Sequence, residues 1–509
     1  MPAHAPDGHP LEADLKIVNA RLVTPTGVRD GAVAVRDGVI VAIGDAPDLP
    51  AARDTIDVKG RHVLPGVVDP EAHPGHSHPL RDVIPSETRA ALASGVTTWG
   101  IQNPAPRFGQ EPWKQESEPD DVVSFFEVFD KGLGIWSDLA HTDFFFTFQL
   151  ETDEQADEIP RYARELGVPS VKFYCHTKRI ANDSFWFANG TGLARGFDDG
   201  TLYLACERAA EVGGMVHFHP ENWEVARVLE KRLLDAGRDD MGAWDDRSPW
   251  FTEAHHVRQY SYFGLLTGAT MYVQHTTNPL TLREIRRARE EGVRLYSQTG
   301  APWLYFTRDD WRINTPLRSR EAVEALWEAL ADGTVDCVGS DHVVARGGRE
   351  EMAAEGVWSR KKSGFPSRVE MLLPIMLSEG VNAGRISIER LVEVCASTPA
   401  KIFGLWPRKG AIAVGSDADF VVVDLGREVE VRDDMVQTLP GWTLLHGHRL
   451  TGWPVMTILR GRVVAEWRDG EPRTEVVGDP GGRHLAPGTG HIVHTRPLGP
   501  RPPGSQPAI

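Results

Sequence analysis

Cysteine is scarce in this chain: four residues among 509, Cys175, Cys206, Cys337 and Cys395, all far apart. That spacing excludes a zinc knuckle, a redox pair and a disulfide framework, and leaves buried thiols in a reducing compartment. A run of about 18 apolar residues is also missing, which excludes a membrane-spanning helix. Positive charge is in deficit, with 55 Lys and Arg against 72 Asp and Glu, a formal charge of -17. That sign excludes broad attraction to nucleic acid or to an anionic membrane face. The opening stretch MPAHAPDGHPLEADLKIV has neither the basic start nor the apolar core of a secretory signal, so the expected location is cytoplasmic.

What is present is ordinary for a globular protein, 41% hydrophobic and 25% charged residues. A chain this long exceeds one small core, and a barrel plus a lesser domain would account for it. From Leu15 to Val63 apolar and polar residues alternate in short bursts, and Asp37-Gly38 is a hairpin-turn signal. The same texture returns in KGAIAVGSDADFVVVDL and WPVMTILRGRVVAEWRDG. The two strand-rich ends, 15–63 and 406–470, are therefore expected to pair into one composite β domain. Between them, over 64–405, runs such as SVKFY, GMVHFH, ATMYVQH and VDCVGSDH alternate with amphipathic stretches, the rhythm of βα units. Ser319, the stripe Val323, Leu326, Trp327 and Leu330, and Gly333 predict one such helix with its caps. The expectation is an α/β chain with a (β/α)8 TIM-like barrel, a flexible segment 1–14, and a Pro/Gly-rich tail 471–509 that packs on a neighbouring subunit.

In such a barrel, polar residues at the C-terminal ends of strands face the active site. Read in order, those ends supply Glu71 and His73 (DPEAH), Lys172 (SVKFY), His219 (HFHPEN), His275 (YVQH) and Asp341 (GSDH). Imidazole nitrogen and carboxylate oxygen suit zinc, and also manganese or cobalt; the set holds no thiolate, which excludes a structural Cys-type site. An ammonium has no lone pair, but a buried lysine loses its proton readily, and the neutral amine can capture carbon dioxide as a bridging carbamate. A lone histidine is more often a hydrogen-bonded surface residue, a lone lysine solvated and a lone aspartate a helix cap. The joint, ordered occurrence argues for metal catalysis.

These motifs, with ETRAALASGVTTW and STPAKIFGLWPRKGAIAVGSDADFVVVD, resemble the cyclic amidohydrolases: hydantoinases, dihydropyrimidinases, allantoinases and dihydroorotases. The resemblance spans roughly residues 15–470. It implies a barrel with a composite β-sandwich domain, N6-carboxylysine at Lys172 bridging two metals, His219 and His275 on the second metal, and Asp341 as ligand and catalytic proton shuttle. It also implies a homo-oligomer, dimer or tetramer. The function it implies is hydrolysis of a C–N bond of a small cyclic amide (hydantoin, dihydropyrimidine, imide or lactam) by metal-bound hydroxide. The rival readings are hydrolysis of an acyclic amide, carbamate or urea, and a non-catalytic scaffold that lost full metal binding.

Several positions depart from the family. Where the family has His-x-His, this chain reads Glu71-Ala72-His73, and His76-Ser77-His78 restores the string a few residues later. An added carboxylate moves the centre towards neutrality, so that it acidifies water and polarises a carbonyl less. The outcomes are a weaker two-metal site, a one-metal site at Lys172, His219 and His275, or no metal. Thr177 stands where hydantoin-type relatives carry an oxyanion-steadying tyrosine, a role open to His176 or Tyr174. Asn314 and Ser363 fall at the positions expected to meet the substrate amide. Phe185, Trp186 and Phe187, like Phe144, Phe145 and Phe146, either line a pocket or pack a loop down.

Overall fold

The computed structural model describes residues 12–76, 78–106, 122–175, 197–354, 356–358, 367–468, 470–471, 473–487, 492–500 and 502. Two nine-stranded sheets organise them. The first is assembled from both ends of the chain: β1 (Ala13–Thr24), β2 (Gly27–Arg36), β3 (Val39–Gly44), β4 (Ala52–Asp57) and β5 (His62–Pro65) meet strands near the C-terminus. The turn between β2 and β3 is made by Asp37 and Gly38, both at positive φ (52° and 78°), the geometry that a two-residue hairpin requires. Val33, Val35, Ile40, Val63, Phe420, Val422 and Ile458 form its core.

The second sheet is the barrel. β6 (Val67–His73), β7 (Val96–Asn103), β8 (Asp143–Gln149), β9 (Ser170–Tyr174), β10 (Met215–His219), β11 (Thr270–Val273) and β12 (Leu295–Gly300) run parallel, each hydrogen-bonded to the next. The eighth strand is broken. Its first piece, β13 (Cys337–Gly339), pairs with β12, and its second, β14 (His342–Val343), pairs with β6 and closes the ring at Ser340-Asp341. The barrel strands are buried along their whole length, as both faces of a helix-covered parallel sheet must be. The predicted helix is Arg320–Ala331, with Val323, Leu326, Trp327 and Leu330 buried; the Ser319 hydroxyl, however, makes no capping hydrogen bond. Phe144, Phe145 and Phe146 belong to no mouth loop: they are β8, and their rings pack in the core.

β15 (Phe420–Glu430), β16 (Arg449–Leu459), β17 (Arg462–Glu466) and β18 (Glu475–Val476) complete the composite sheet. Two boundaries expected from composition shift. Ala13 and Asp14, expected to be flexible, open β1, because Ala13 donates to the Ala51 carbonyl at 2.7 Å. β18 lies past residue 470 because it pairs with β17. The tail also runs along its own barrel: Leu485 donates to the Phe144 carbonyl at 2.7 Å, Gly499 to that of Gly292 at 2.7 Å, and Arg496 pairs with Asp336 at 2.6 Å. Those partners sit at the N-terminal ends of β8, β12 and β13, so the tail covers the end of the barrel opposite the ligand-bearing mouth. At that end Lys409, fully buried, bridges Asp143 and Asp419 at 2.6 Å each and ties β8 to the composite sheet. No described helix is long and apolar enough to cross a membrane.

Candidate metal centre

β6 ends in Glu71-Ala72-His73, and its pleat sends Glu71 and His73 into the barrel together. Asp341 reaches the same point from the break in the eighth strand, where its φ is 46°. The ligand atoms of Glu71, His73 and Asp341 lie within 4.8 Å of one another, and among the described residues this is the cluster suited to hold an ion. Asp341 Oδ1 is 3.3 Å from His73 Nε2 and 3.9 Å from His275 Nε2, and Glu71 Oε1 is 3.3 Å from His275 Nε2. His275 follows β11, also at positive φ (37°), and its ring lies 4.5 Å from that of His219 at the end of β10. His275 Nδ1 is buried with no hydrogen-bond partner.

Lys172 is the exception to the strand-end rule: it is the middle residue of β9, and its long side chain carries Nζ to 2.8 Å from Glu71 Oε1 and 3.4 Å from His73 Nε2. Burial pushes the Lys172 ammonium down, against the opposing pull of Glu71 and Asp341. Burial would raise the Glu71 carboxyl, but Lys172 and His275 outweigh it and hold the group well below its ordinary range. At Asp341 burial again raises, and Arg368 and His275 win, bringing the carboxyl to about 2. All six predicted ligands are buried; Lys172 and His275 join the cluster of Glu71, His73 and Asp341 through Glu71, and His219 adjoins it through the His275 ring. A divalent cation fits this donor set, because carboxylate oxygens and imidazole nitrogens converge, and burial favours the neutral amine of Lys172 over its ammonium.

Sequence reading did not single out three of the groups touching these six. Arg368 Nη1 donates to Asp341 Oδ2 at 2.7 Å. Gln298, on β12, donates from Nε2 to Glu71 Oε2 at 2.5 Å. Glu221 Oε2 is 3.3 Å from His219 Nε2. Only HFHPEN, which places Glu221 beside His219, carried a local signal for any of them. Tyr174 lies inside the site, its hydroxyl 3.0 Å from His73 Nδ1, and burial pushes its phenol well above 10, so it stays a proton donor.

Of the expected substrate contacts, Asn314 is described: its Oδ1 accepts from Arg247 Nη2 at 3.0 Å, and the Arg247 guanidinium stacks 3.6 Å from the Trp244 ring centre. Thr177, His176 and the aromatic stretch 185–187 lie outside the described residues, as do Ser363 and Ser77 and the His76 side chain. His78 lies beyond β6 and outside the ion-holding cluster.

The amidohydrolase family profile matches residues 193–464. An L-hydantoinase of Paenarthrobacter aurescens is 30% identical over 468 residues, covering 89% of this chain and 94% of that protein. A D-hydantoinase of Ralstonia pickettii is 28% identical, with coverage of 89% and 95%. Among solved structures, the dihydropyrimidinase of Brevibacillus agri superposes with a TM-score of 0.79 at 25% identity, over 96% of this chain and 99% of that one.

Proposed function

Because this chain belongs to the amidohydrolase family, we propose that it opens the C–N amide bond of a small cyclic amide, a hydantoin, dihydropyrimidine, imide or lactam, with a divalent metal held by Glu71, His73, Lys172, His219, His275 and Asp341. The observation that carries the proposal is the convergence of Glu71, His73 and Asp341 within 4.8 Å at the barrel mouth, with Lys172 Nζ 2.8 Å from Glu71. Zinc suits this nitrogen and oxygen set, with manganese and cobalt as alternatives, and Lys172 is read as N6-carboxylysine. When bound, the metal polarises the substrate carbonyl and makes water acidic enough to attack at neutral pH.

The chain's own residues do the rest. Asp341, ionised at neutral pH because Arg368 and His275 hold its carboxyl low, takes the proton of the attacking water and delivers it to the leaving nitrogen. Tyr174 supplies the phenol donor for the developing oxyanion in place of the tyrosine that Thr177 replaces. The charge of -17 argues against nucleic acid or an anionic membrane face as a partner, and we read the chain as a cytoplasmic homo-oligomer acting on a small molecule.

The test combines metal content per chain, by plasma mass spectrometry on protein purified without chelator, with a panel of cyclic and acyclic amides. One or two metals and turnover of a cyclic amide are expected. No metal after addition of zinc, manganese and bicarbonate would establish the scaffold reading, and turnover confined to acyclic amides would replace the substrate class. Asp341→Asn is expected to lower kcat by about 10²–10⁴-fold while preserving the circular dichroism spectrum; parental kcat in that variant would remove Asp341 from the mechanism.

A further inference from the structure

Glu71 has two oxygens, and the structure gives them different partners. Oε1 faces Lys172 Nζ and His275 Nε2, at 2.8 and 3.3 Å. Oε2 turns away and accepts from Gln298 Nε2 at 2.5 Å. The Gln298 amide is itself oriented, since its Oε1 accepts from the Tyr272 hydroxyl at 2.7 Å. Burial pushes the Tyr272 phenol well above 10, so it remains the donor, and the amide must then present N–H to Glu71. Space for this side chain is provided by Gly339 on the adjoining strand, where an added Cβ would come within 2.5 Å of Gln298 Nε2. Tyr272, Gln298 and Glu71 are all fully buried, so no water competes for these bonds.

We propose that Gln298, aligned by Tyr272, is a positioning residue that adapts this centre to a carboxylate at residue 71: it occupies Oε2 and leaves Oε1 as the single oxygen offered to the metal. The argument is one of hydrogen-bond polarity. A carboxylate only accepts, so its neighbour must donate, and a neutral amide does this without adding charge. An imidazole ligand at 71 would instead carry an outward N–H and require an acceptor at 298. Glutamate at 298 against Glu71 would bury two facing carboxylates. The inference rests on the proposed metal centre, with Glu71 as a ligand.

The experiment compares the parent with Gln298→Leu, Gln298→Glu, Tyr272→Phe, Glu71→His and the double variant Glu71→His/Gln298→Glu. Each is purified metal-free and titrated with zinc against a chromogenic chelator, with the melting temperature in chelator reporting the metal-free fold. Gln298→Leu and Gln298→Glu are expected to weaken zinc binding by about tenfold to a hundredfold, the range for loss of an orienting partner, and Tyr272→Phe by less. Glu71→His alone is expected to bind weakly, and the double variant to recover the parental affinity because the donor and acceptor have exchanged places. That recovery is a readout which damaged packing cannot produce. Parental affinity in both Gln298 variants, or a double variant no better than Glu71→His, would overturn the inference while the metal centre stood. A parent that binds no zinc would overturn the centre itself.

Discussion

Asp341 and His275 share a backbone feature, positive φ of 46° and 37° at non-glycine residues inside the barrel. Conformations of this kind cost about 1–3 kcal/mol each and persist where the surroundings impose them. At Asp341 the return is geometric: Oδ1 faces His73 and His275 while Oδ2 is held by Arg368. Arg368 is fully buried, so its removal would leave a buried, ionised carboxylate without the cation that holds its Oδ2. Arg368→Leu is therefore expected to lower metal-free stability by about 3–5 kcal/mol. With metal bound the loss should be smaller, because the ion supplies the positive charge that the guanidinium gave up. Urea denaturation in chelator and in zinc measures the difference. An equal loss under both conditions would mean that Arg368 acts by packing and not by charge.

At the scale of elements, the loop after β11 shows how the barrel holds His275, a ligand in the proposed centre. Glu253, buried in the helix Trp250–Thr267, accepts from the Thr277 amide and the Asn278 side chain at 2.9 Å each and from Arg318 Nη2 at 3.4 Å. Arg318 in turn donates to Asp245 and to the Ser248 carbonyl at 2.6 Å each. Glu253→Ala leaves Arg318 and the loop amides short of an acceptor two residues from His275, and a loss of about 3–5 kcal/mol in denaturant unfolding is expected, with weakened zinc binding. Undiminished stability would show that the loop is held by its backbone alone. None of this network was legible in the sequence, whereas the Asp37-Gly38 hairpin and the helix Arg320–Ala331 were. Turn chemistry and a 3.6-residue period are local properties, while Glu253 meets Thr277 and Arg318 only after folding. Lys172 shows the limit in another form: its identity was legible, but its place in mid-strand depends on a reach that spacing does not encode. Phe144, Phe145 and Phe146 were ambiguous because a short apolar run does not distinguish a buried strand from a packed loop.

For the molecule as a whole, the tail is the element that composition described least well. Pro/Gly-rich sequence cannot form a core of its own, yet the described tail closes the end of the barrel remote from Glu71, His73 and Asp341, with His484 beside the rings of Phe146 and Phe144, at 4.9 and 5.7 Å. His484 Nε2 is buried without a hydrogen-bond partner, and burial lowers the imidazole from 6.5 to about 4. The folded state therefore favours the neutral ring. Its contribution is complete above about pH 6.5, the ordinary histidine value, and is lost as pH falls through about 4. Carboxylates throughout the protein titrate over part of the same window, so the informative quantity is a difference between variants. His484→Phe keeps an aromatic ring against Phe146 and removes the titration. The parent is expected to lose more stability than His484→Phe between pH 7 and 4, by up to about 3 kcal/mol, as read by urea unfolding at each pH. Kinetic parameters at neutral pH should not change, because the tail and the metal centre occupy opposite ends of the barrel. Parallel stability curves for the two proteins would mean that His484 is already solvated in the folded chain.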